Sequence, residues 1–249
     1  MSIVPESVSL SACGNVRKVN QDAVFVLETE ALSVYLVADG MGGHSDGELA
    51  SRGVVSAMEA WASAWTPPEE AAWQQMLTEV TEVLQAENDR IFRDCNADGK
   101  ICGTTLVLII VMQGMYALFS IGDSRLYRLE KRHVLQLTTD DVWENDPAQT
   151  AGLSEQQIRT HPNRGKLLRA FGTAQDLRLH RQTGPLAKDM LFLICSDGIY
   201  KYCDEKTLSR ACRKAKKGGK PMTEALRLLE QKVLDGGARD NYSAVFVRT

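Results

Sequence analysis

The chain carries 249 residues, with 29 lysines and arginines against 32 aspartates and glutamates, for a formal net charge of -3. That near balance argues against a nucleic-acid binder held by bulk charge, which needs clustered excess cation, and the 44% hydrophobic and 24% charged fractions exclude a disordered or fibrous chain. The longest strongly apolar run, residues 106–112, is far short of the roughly 20 residues of a membrane-spanning helix, so no membrane partner is expected.

Near the start, Leu10-Ser11-Ala12-Cys13 looks like a lipoprotein cleavage site. Neither a cationic segment nor an apolar stretch of about 7 to 15 residues precedes it, and the match reads as chance. Apolar runs of strand length fall at 24–27, 32–38, 105–111, 115–121, 125–129, 134–137, 177–181, 190–195 and 243–248. Gln113-Gly114 and the segment 130–133 separate neighbouring runs by too little chain for a parallel crossover, which predicts antiparallel hairpins.

Helices are expected in two blocks. Ser45-Asp46-Gly47-Glu48 has the pattern of a capping box, followed by Leu49, Val54, Met58, Trp61 and Trp65 at helical spacing. Thr66-Pro67-Pro68-Glu69 predicts a second start, with an apolar stripe from Trp73 to Ile91. The later block covers about 205–216 and 222–234, divided by Gly218-Gly219-Lys220-Pro221. Meandering strands with paired helices predict an α+β fold in which sheet packs on sheet with helices outside, as one domain spanning 1–249. The irregular stretch 140–172 reads as a flap. Trp61, Trp65 and Trp73 read as core, and the basic residues from Arg210 to Lys220 as a helix end complementing its dipole. Six cysteines without a C-x-x-C pair suggest free thiols and a cytoplasmic location.

Five aspartates adjoin strand-like runs: Asn20-Gln21-Asp22, Val37-Ala38-Asp39-Gly40, Ile121-Gly122-Asp123-Ser124, Ile194-Cys195-Ser196-Asp197-Gly198 and Arg239-Asp240-Asn241. Alone, each reads as a turn. If they converge, their repulsion demands protons or cations, and an all-oxygen donor set favours Mg2+ or Mn2+ over zinc. Two such ions can activate water toward phosphorus, so the chemistry implied is hydrolysis of a phosphate ester.

Together with Arg17-Lys18-Val19, Gly40-Met41-Gly42-Gly43-His44, Gly103-Thr104-Thr105 and Arg125, these segments resemble, in order, the motifs of bacterial metal-dependent protein phosphatases of type 2C. The resemblance runs from Arg17 to Val247. It implies a four-layer α-β-β-α sandwich with two central, mainly antiparallel sheets, and a protein serine/threonine phosphatase using direct attack of a metal-activated water. It further implies that Asp39 bridges two Mn2+ or Mg2+ ions, that Gly40 offers its carbonyl, that Asp197 and Asp240 complete the first site, and that Asp22 supports the second. Asp123 with Asp197 would hold a third, weaker ion, and Arg17 would grip the substrate phosphate. Asn241 is expected to stabilise a turn.

Some positions depart from the pattern. Gln21 replaces a frequent glutamate, and Met41 stands where eukaryotic relatives have a catalytic histidine, leaving His44 as an undecided general acid. Thr138-Thr139-Asp140-Asp141-Val142 lacks the histidine usual in that segment. Arg164, Lys166 and Arg169 are candidates for contact with an acidic phosphopeptide or for a solvated loop. The expected partners are phosphorylated proteins, substrates of an opposing Ser/Thr kinase, acted on by a monomer. The rival readings are a two-metal nuclease or nucleotide phosphohydrolase, and a non-catalytic relative that binds phosphoproteins.

Overall fold

The computed structural model describes residues 4–42, 46–96 and 101–249, with side chains to Asp94 in the second segment. In chain order, strands β1 (Glu6–Ala12), β2 (Asp22–Glu28) and β3 (Ser33–Met41) lead into helices α1 (Asp46–Ala64) and α2 (Ala72–Asn96). Strands β4 (Gly103–Thr104), β5 (Leu106–Met112), β6 (Met115–Ile121), β7 (Arg125–Glu130) and β8 (His133–Gln136) follow. The flap holds a 3-10 turn (Trp143–Asn145) and two short helices, α3 (Pro147–Thr150) and α4 (Glu155–Arg159). The chain then forms β9 (His180–Pro185), β10 (Leu191–Cys195), α5 (Asp197–Tyr200), α6 (Glu205–Ala215), α7 (Gly219–Asp235) and β11 (Tyr242–Arg248).

The strands make two sheets, ordered β1-β11-β10-β7-β8 and β2-β3-β5-β6-β9, with β4 paired to β3. Every ladder is antiparallel. The β5–β6 hairpin turns through Gln113 and Gly114, at φ 51° and 71°. Two consecutive left-handed residues match the twist of the flanking strands, and the glycine adopts that conformation without a Cβ clash.

The side chains of β3 and β5 are buried on both faces, which is why these segments read as nearly continuous apolar runs. One face, through Leu36, Leu108 and Ile110, packs on Val54, Met58, Val80 and Leu84 of α1 and α2. The other, through Tyr35, Val37 and Ile109, meets Phe192, Ile194 and Val245 of the opposing sheet. The far face of that sheet, through Leu193 and Phe246, is covered by Leu208, Ala211, Leu229 and Val233 of α6 and α7. The result is the expected four-layer α-β-β-α sandwich. Among the described residues, no helix is long and apolar enough to cross a membrane.

Several local expectations are corrected. Strand β1 was not anticipated, because its alternation of serines with Val8, Leu10 and Ala12 is weakly apolar; it is an edge strand paired only to β11. Leu10 and Ala12, part of the apparent cleavage motif, lie in this ladder. Helix α2 begins at Ala72 rather than near Thr66. Each residue before a proline is pushed out of the helical region, so Thr66 and Pro67 resist helix initiation, and Ala71 turns the chain with φ 54°. Strand β9 starts at His180, and the preceding Leu177 and Leu179 pack on the helix-side core. Cys102 is disulfide-bonded, against the expectation of free thiols, while Cys13, Cys195, Cys203 and Cys212 are free. Ser45 of the expected capping box lies outside the described residues.

Trp61, Trp65 and Trp73 are partly buried against the helix-side core, and Arg213 and Lys214 stand in the last turn of α6. Trp61 packs beside the helix-side core, donates to Glu79 Oε2 at 2.9 Å and lies 6.0 Å from the Trp65 ring. In the basic segment, Arg213 donates to the Arg132 carbonyl at 2.6 Å and Lys214 pairs with Glu224 at 2.8 Å.

Candidate active site

Antiparallel order brings the five aspartates to one end of both sheets. Asp22 opens β2 and is the register partner of Asp39 near the end of β3. Asp123 lies in the turn carrying the chain from β6 in one sheet to β7 in the other, Asp197 follows β10, and Asp240 precedes β11. A cavity of about 320 Å³ opens there, lined by Arg17, Asp39, Asp123, Asp197, Lys201 and Asp240 among others. Gly40 also lines it. Asp22 does not line the cavity; it sits behind Asp39 at 5% exposure.

The backbone around Asp39 is held by the Gly103-Thr104-Thr105 segment. The Thr105 hydroxyl accepts from the Asp39 N–H at 3.0 Å, and the Thr105 N–H donates to the Asp39 carbonyl at 2.9 Å. Gly40 is packed so closely that a Cβ would fall 2.1 Å from the Gly47 carbonyl oxygen. The glycine therefore lets the start of α1 approach the end of β3, and a side chain would separate them.

Ser196 ties the sheets together, donating from Oγ to Asp22 Oδ2 at 2.7 Å and accepting from the Ser243 N–H at 2.9 Å. Asn241, expected to stabilise a turn, instead holds a distant loop: its Oδ1 accepts from the Gln21 N–H at 2.9 Å, and its Nδ2 donates to the carbonyls of Cys13 at 2.8 Å and Val19 at 3.0 Å. It thus fixes the loop that carries Arg17. The Arg17 guanidinium grips Asp240 with contacts of 2.8 and 2.9 Å.

Burial dominates the electrostatics. It pushes the Asp22 carboxyl up to about 6 against the favourable hydroxyls of Ser196 and Ser243. Burial, followed by the charge of Asp22, holds Asp39 well above the usual carboxylate range, with Asp197, Asp123 and Asp240 adding to the effect. Asp123 rises to about 6 through burial and then Asp197, partly offset by Lys201.

The site residues fit divalent cations on two observations. Asp22 Oδ1 is buried without a hydrogen-bond partner, an orphaned oxygen that a cation or its water shell would satisfy. The cleft also concentrates carboxylate oxygens, and at Asp39 and Asp123 burial, followed by neighbouring carboxylates, raises the proton affinity, a condition a hard cation relieves. Among the described residues, no three His, Cys, Asp or Glu side chains already close around one point. Instead, Asp240 is engaged by Arg17, and Asp197 by an ion pair with Lys201.

The flap is anchored beside the cleft by the two aspartates where the usual histidine is missing. Asp140 takes a bidentate grip from Arg125, with contacts down to 2.6 Å, and Arg125 lies 3.7 Å above the Tyr200 ring. Buried Asp141 accepts from the Gly122 N–H at 2.9 Å and pairs with Arg169 at 2.5 Å and His180 at 2.9 Å. Of the flap cations considered for phosphopeptide contact, Arg169 is thus engaged with Asp141, and Arg164 lies 3.8 Å from Glu144. Met41 lines the cavity, whereas His44 lies outside the described residues; no histidine lines the cavity among those described.

Motif reading missed Ser196 as an anchor, Thr105 as a clamp, and Tyr200 and Lys201 as cavity neighbours. Lys201 had a signal available, since it stands one helical turn after Asp197.

Two antiparallel sheets packed face to face between helix pairs, with an acidic cleft across their shared end, define the structural class of this chain. It belongs to the protein phosphatase 2C family, whose model matches residues 13–232. It is 30% identical over 242 residues to the serine/threonine phosphatase stp of Listeria innocua, covering 94% of this chain and 92% of that one. The crystal structure of the Mycobacterium tuberculosis serine/threonine phosphatase PstP superposes with a TM-score of 0.82 at 26% identity, covering 99% of both chains. A structure of the PstP catalytic domain in complex with two manganese ions gives a TM-score of 0.79 at 25% identity, covering 98% of both chains.

Proposed function

We propose that this chain is a metal-dependent protein serine/threonine phosphatase, acting as one domain with 140–172 as its flap. The observation that carries the reading is the convergence of Asp39, Asp123, Asp197 and Asp240 on one cavity, with Asp22 behind it and Arg17 at its rim, in a 2C-family chain. Asp39, Asp197, Asp240, Asp22 and the Gly40 carbonyl are the groups that would hold paired divalent ions. When bound, paired Mn2+ or Mg2+ ions supply positive charge to the phosphoryl oxygens and activate a water for direct attack on phosphorus.

The chain's own residues prepare the rest. Thr105 and Ser196 hold Asp39 and Asp22 in place, so little reorganisation is needed during reaction. Arg17, about half exposed and anchored at Asp240, presents a planar guanidinium at the rim, suited to two phosphate oxygens at once.

Phosphoserine and phosphothreonine in proteins are the substrates we assign, which places the enzyme opposite a Ser/Thr kinase. A monomeric, cytoplasmic protein with no nucleic-acid or membrane partner is the setting we infer. Among the described residues, the free Cys13, Cys195, Cys203 and Cys212 support that compartment, and the bonded Cys102 stands against it.

The test is a substrate panel with Mn2+: phosphothreonyl and phosphoseryl peptides beside nucleotides, DNA and RNA. Phosphate release from the peptides, abolished by chelator, is expected. Preferential cleavage of nucleic acid or nucleotides would contradict the assignment, as would metal binding without any turnover.

A further inference from the structure

Beside the acidic cleft lies a second cavity, of about 570 Å³. Its character is opposite. Met41 and Ile121, at the ends of β3 and β6, Leu167 and Leu168 of the flap and Leu177 beyond it supply apolar surface, and Ile101 lines the cavity while 69% exposed to solvent. Arg169 and Arg178 also line it, but each already holds a carboxylate, Arg169 that of Asp141 at 2.5 Å and Arg178 that of Asp176 at 2.8 Å. A charged group entering there would lose water against apolar walls and meet cations that are already paired, whereas an apolar group would gain by burial.

One wall is built before any ligand arrives. Buried Asn88 of α2 lines the cavity, accepts from the Gly172 N–H at 2.8 Å and donates to the Ala174 carbonyl at 2.8 Å. Phe171 and Thr104 exchange backbone hydrogen bonds of 2.8 and 3.0 Å, which ties the same loop to β4. A pocket held in this way costs little ordering when it is filled.

Met41 and Leu167 line this cavity and the acidic cleft alike, so the two are neighbours on one surface. A chain that places its phosphorylated residue in the cleft passes its flanking residues, on one side, over the second cavity. Two to three residues of extended chain span about 7 to 10 Å, the scale of one such cavity. We propose that the cavity is a specificity pocket for the substrate itself, taking an apolar side chain that stands two or three residues from the phosphorylated one. The inference rests on the phosphoprotein reading above and narrows its substrate class.

The test is steady-state hydrolysis, with Mn2+, of phosphothreonyl peptides that differ only at the positions two and three residues before or after the phosphothreonine, where Leu, Ala, Asp or Lys is placed. For the wild type, Leu at one of these positions should raise kcat/KM about tenfold over Asp or Lys, mainly through KM. Two variants should erase that preference: Ile101→Asp, which puts a charge on the apolar wall, and Ala174→Trp, which fills the cavity from its exposed loop. Neither residue lines the acidic cleft, so para-nitrophenyl phosphate, which reaches only the cleft, should be hydrolysed at the wild-type rate by both, and that retention also shows that they fold. Equal kcat/KM for Leu, Asp and Lys in the wild type, a preference for a charged residue, or a Leu preference that survives either substitution would overturn the proposal while leaving the phosphatase reading intact. So would a dimer in sedimentation that Ile101→Asp dissolves, which would make the cavity an interface between copies of this chain. Hydrolysis of the aryl phosphate without any of the peptides would overturn both.

Discussion

Asp22 and Asp39 face each other across the β2–β3 ladder, and burial raises the proton affinity of both. In the metal-free protein, native Asp22 keeps its proton up to about pH 6, where an unfolded aspartate has already lost it. Its contribution to stability is therefore fully present below the ordinary aspartate range and is lost as pH rises through about 6. That rise in proton affinity corresponds to roughly 3 kcal/mol. In chelator, Asp22→Asn should gain on wild type by several degrees of Tm between pH 4.5 and pH 7.5. Parallel melting curves across that window would remove Asp22 as the source. Arg17 makes a different prediction. Arg17→Ala should raise KM for a phosphopeptide about ten- to a hundredfold with a smaller change in kcat, since a phosphate grip acts on bound substrate and transition state alike. Steady-state kinetics with kcat reduced at unchanged KM would reject that role.

At the scale of elements, the flap hangs on few contacts. Trp143 stacks on His161 at 3.8 Å, and Val142 bridges Leu167, closing the loop on itself. Asp141 joins its base to Gly122, Arg169 and His180. Removing this buried carboxylate leaves the Gly122 N–H unpaired and returns the part-exposed Arg169 and His180 to water, at a cost of about 1 to 3 kcal/mol. Asp141→Ala should accelerate amide hydrogen exchange across 142–168 and raise KM several-fold while Mn2+ binding is retained; unchanged exchange in that segment would show that the flap is held elsewhere. The hairpin at Gln113-Gly114 was legible because two left-handed residues leave a signature in residue type. The start of α2 was misplaced because proline near a helix start is ambiguous: one proline fits the first turn, but Pro67-Pro68 forces its own first member extended. Edge strand β1 was invisible because half exposure removes the apolar signal that marked β3 and β5.

For the whole molecule, the alternation of antiparallel strands explains why aspartates distant in sequence meet. Each occupies a strand boundary, and the topology places those boundaries at one end of both sheets. That each aspartate ends or begins a strand could be read from the chain; what balances its charge could not. The Asp240–Arg17 pair spans 223 residues and depends on β1 pairing with β11 in one sheet, while the Ser196–Asp22 bond spans 174 and depends on how the sheets stack. The same convergence predicts a global response. Divalent ions should raise Tm more at pH 7.5 than at pH 5, because the carboxylates they neutralise are costly to keep charged at the higher pH. Equal stabilisation at both values would show that the ions bind outside this cleft.

The central claim is that Asp39 organises one site in which bound cations enable phosphate ester hydrolysis. It is tested by following, on one sample, Mn2+ bound and phosphate released from a phosphothreonyl peptide as Mn2+ is titrated, for wild type and Asp39→Asn. The wild-type rate should appear as the second ion binds, and Asp39→Asn should lose tight ion binding and about a thousandfold or more in rate, the equivalent of roughly 4 kcal/mol. Full turnover in chelator, or wild-type turnover by Asp39→Asn, would contradict the account.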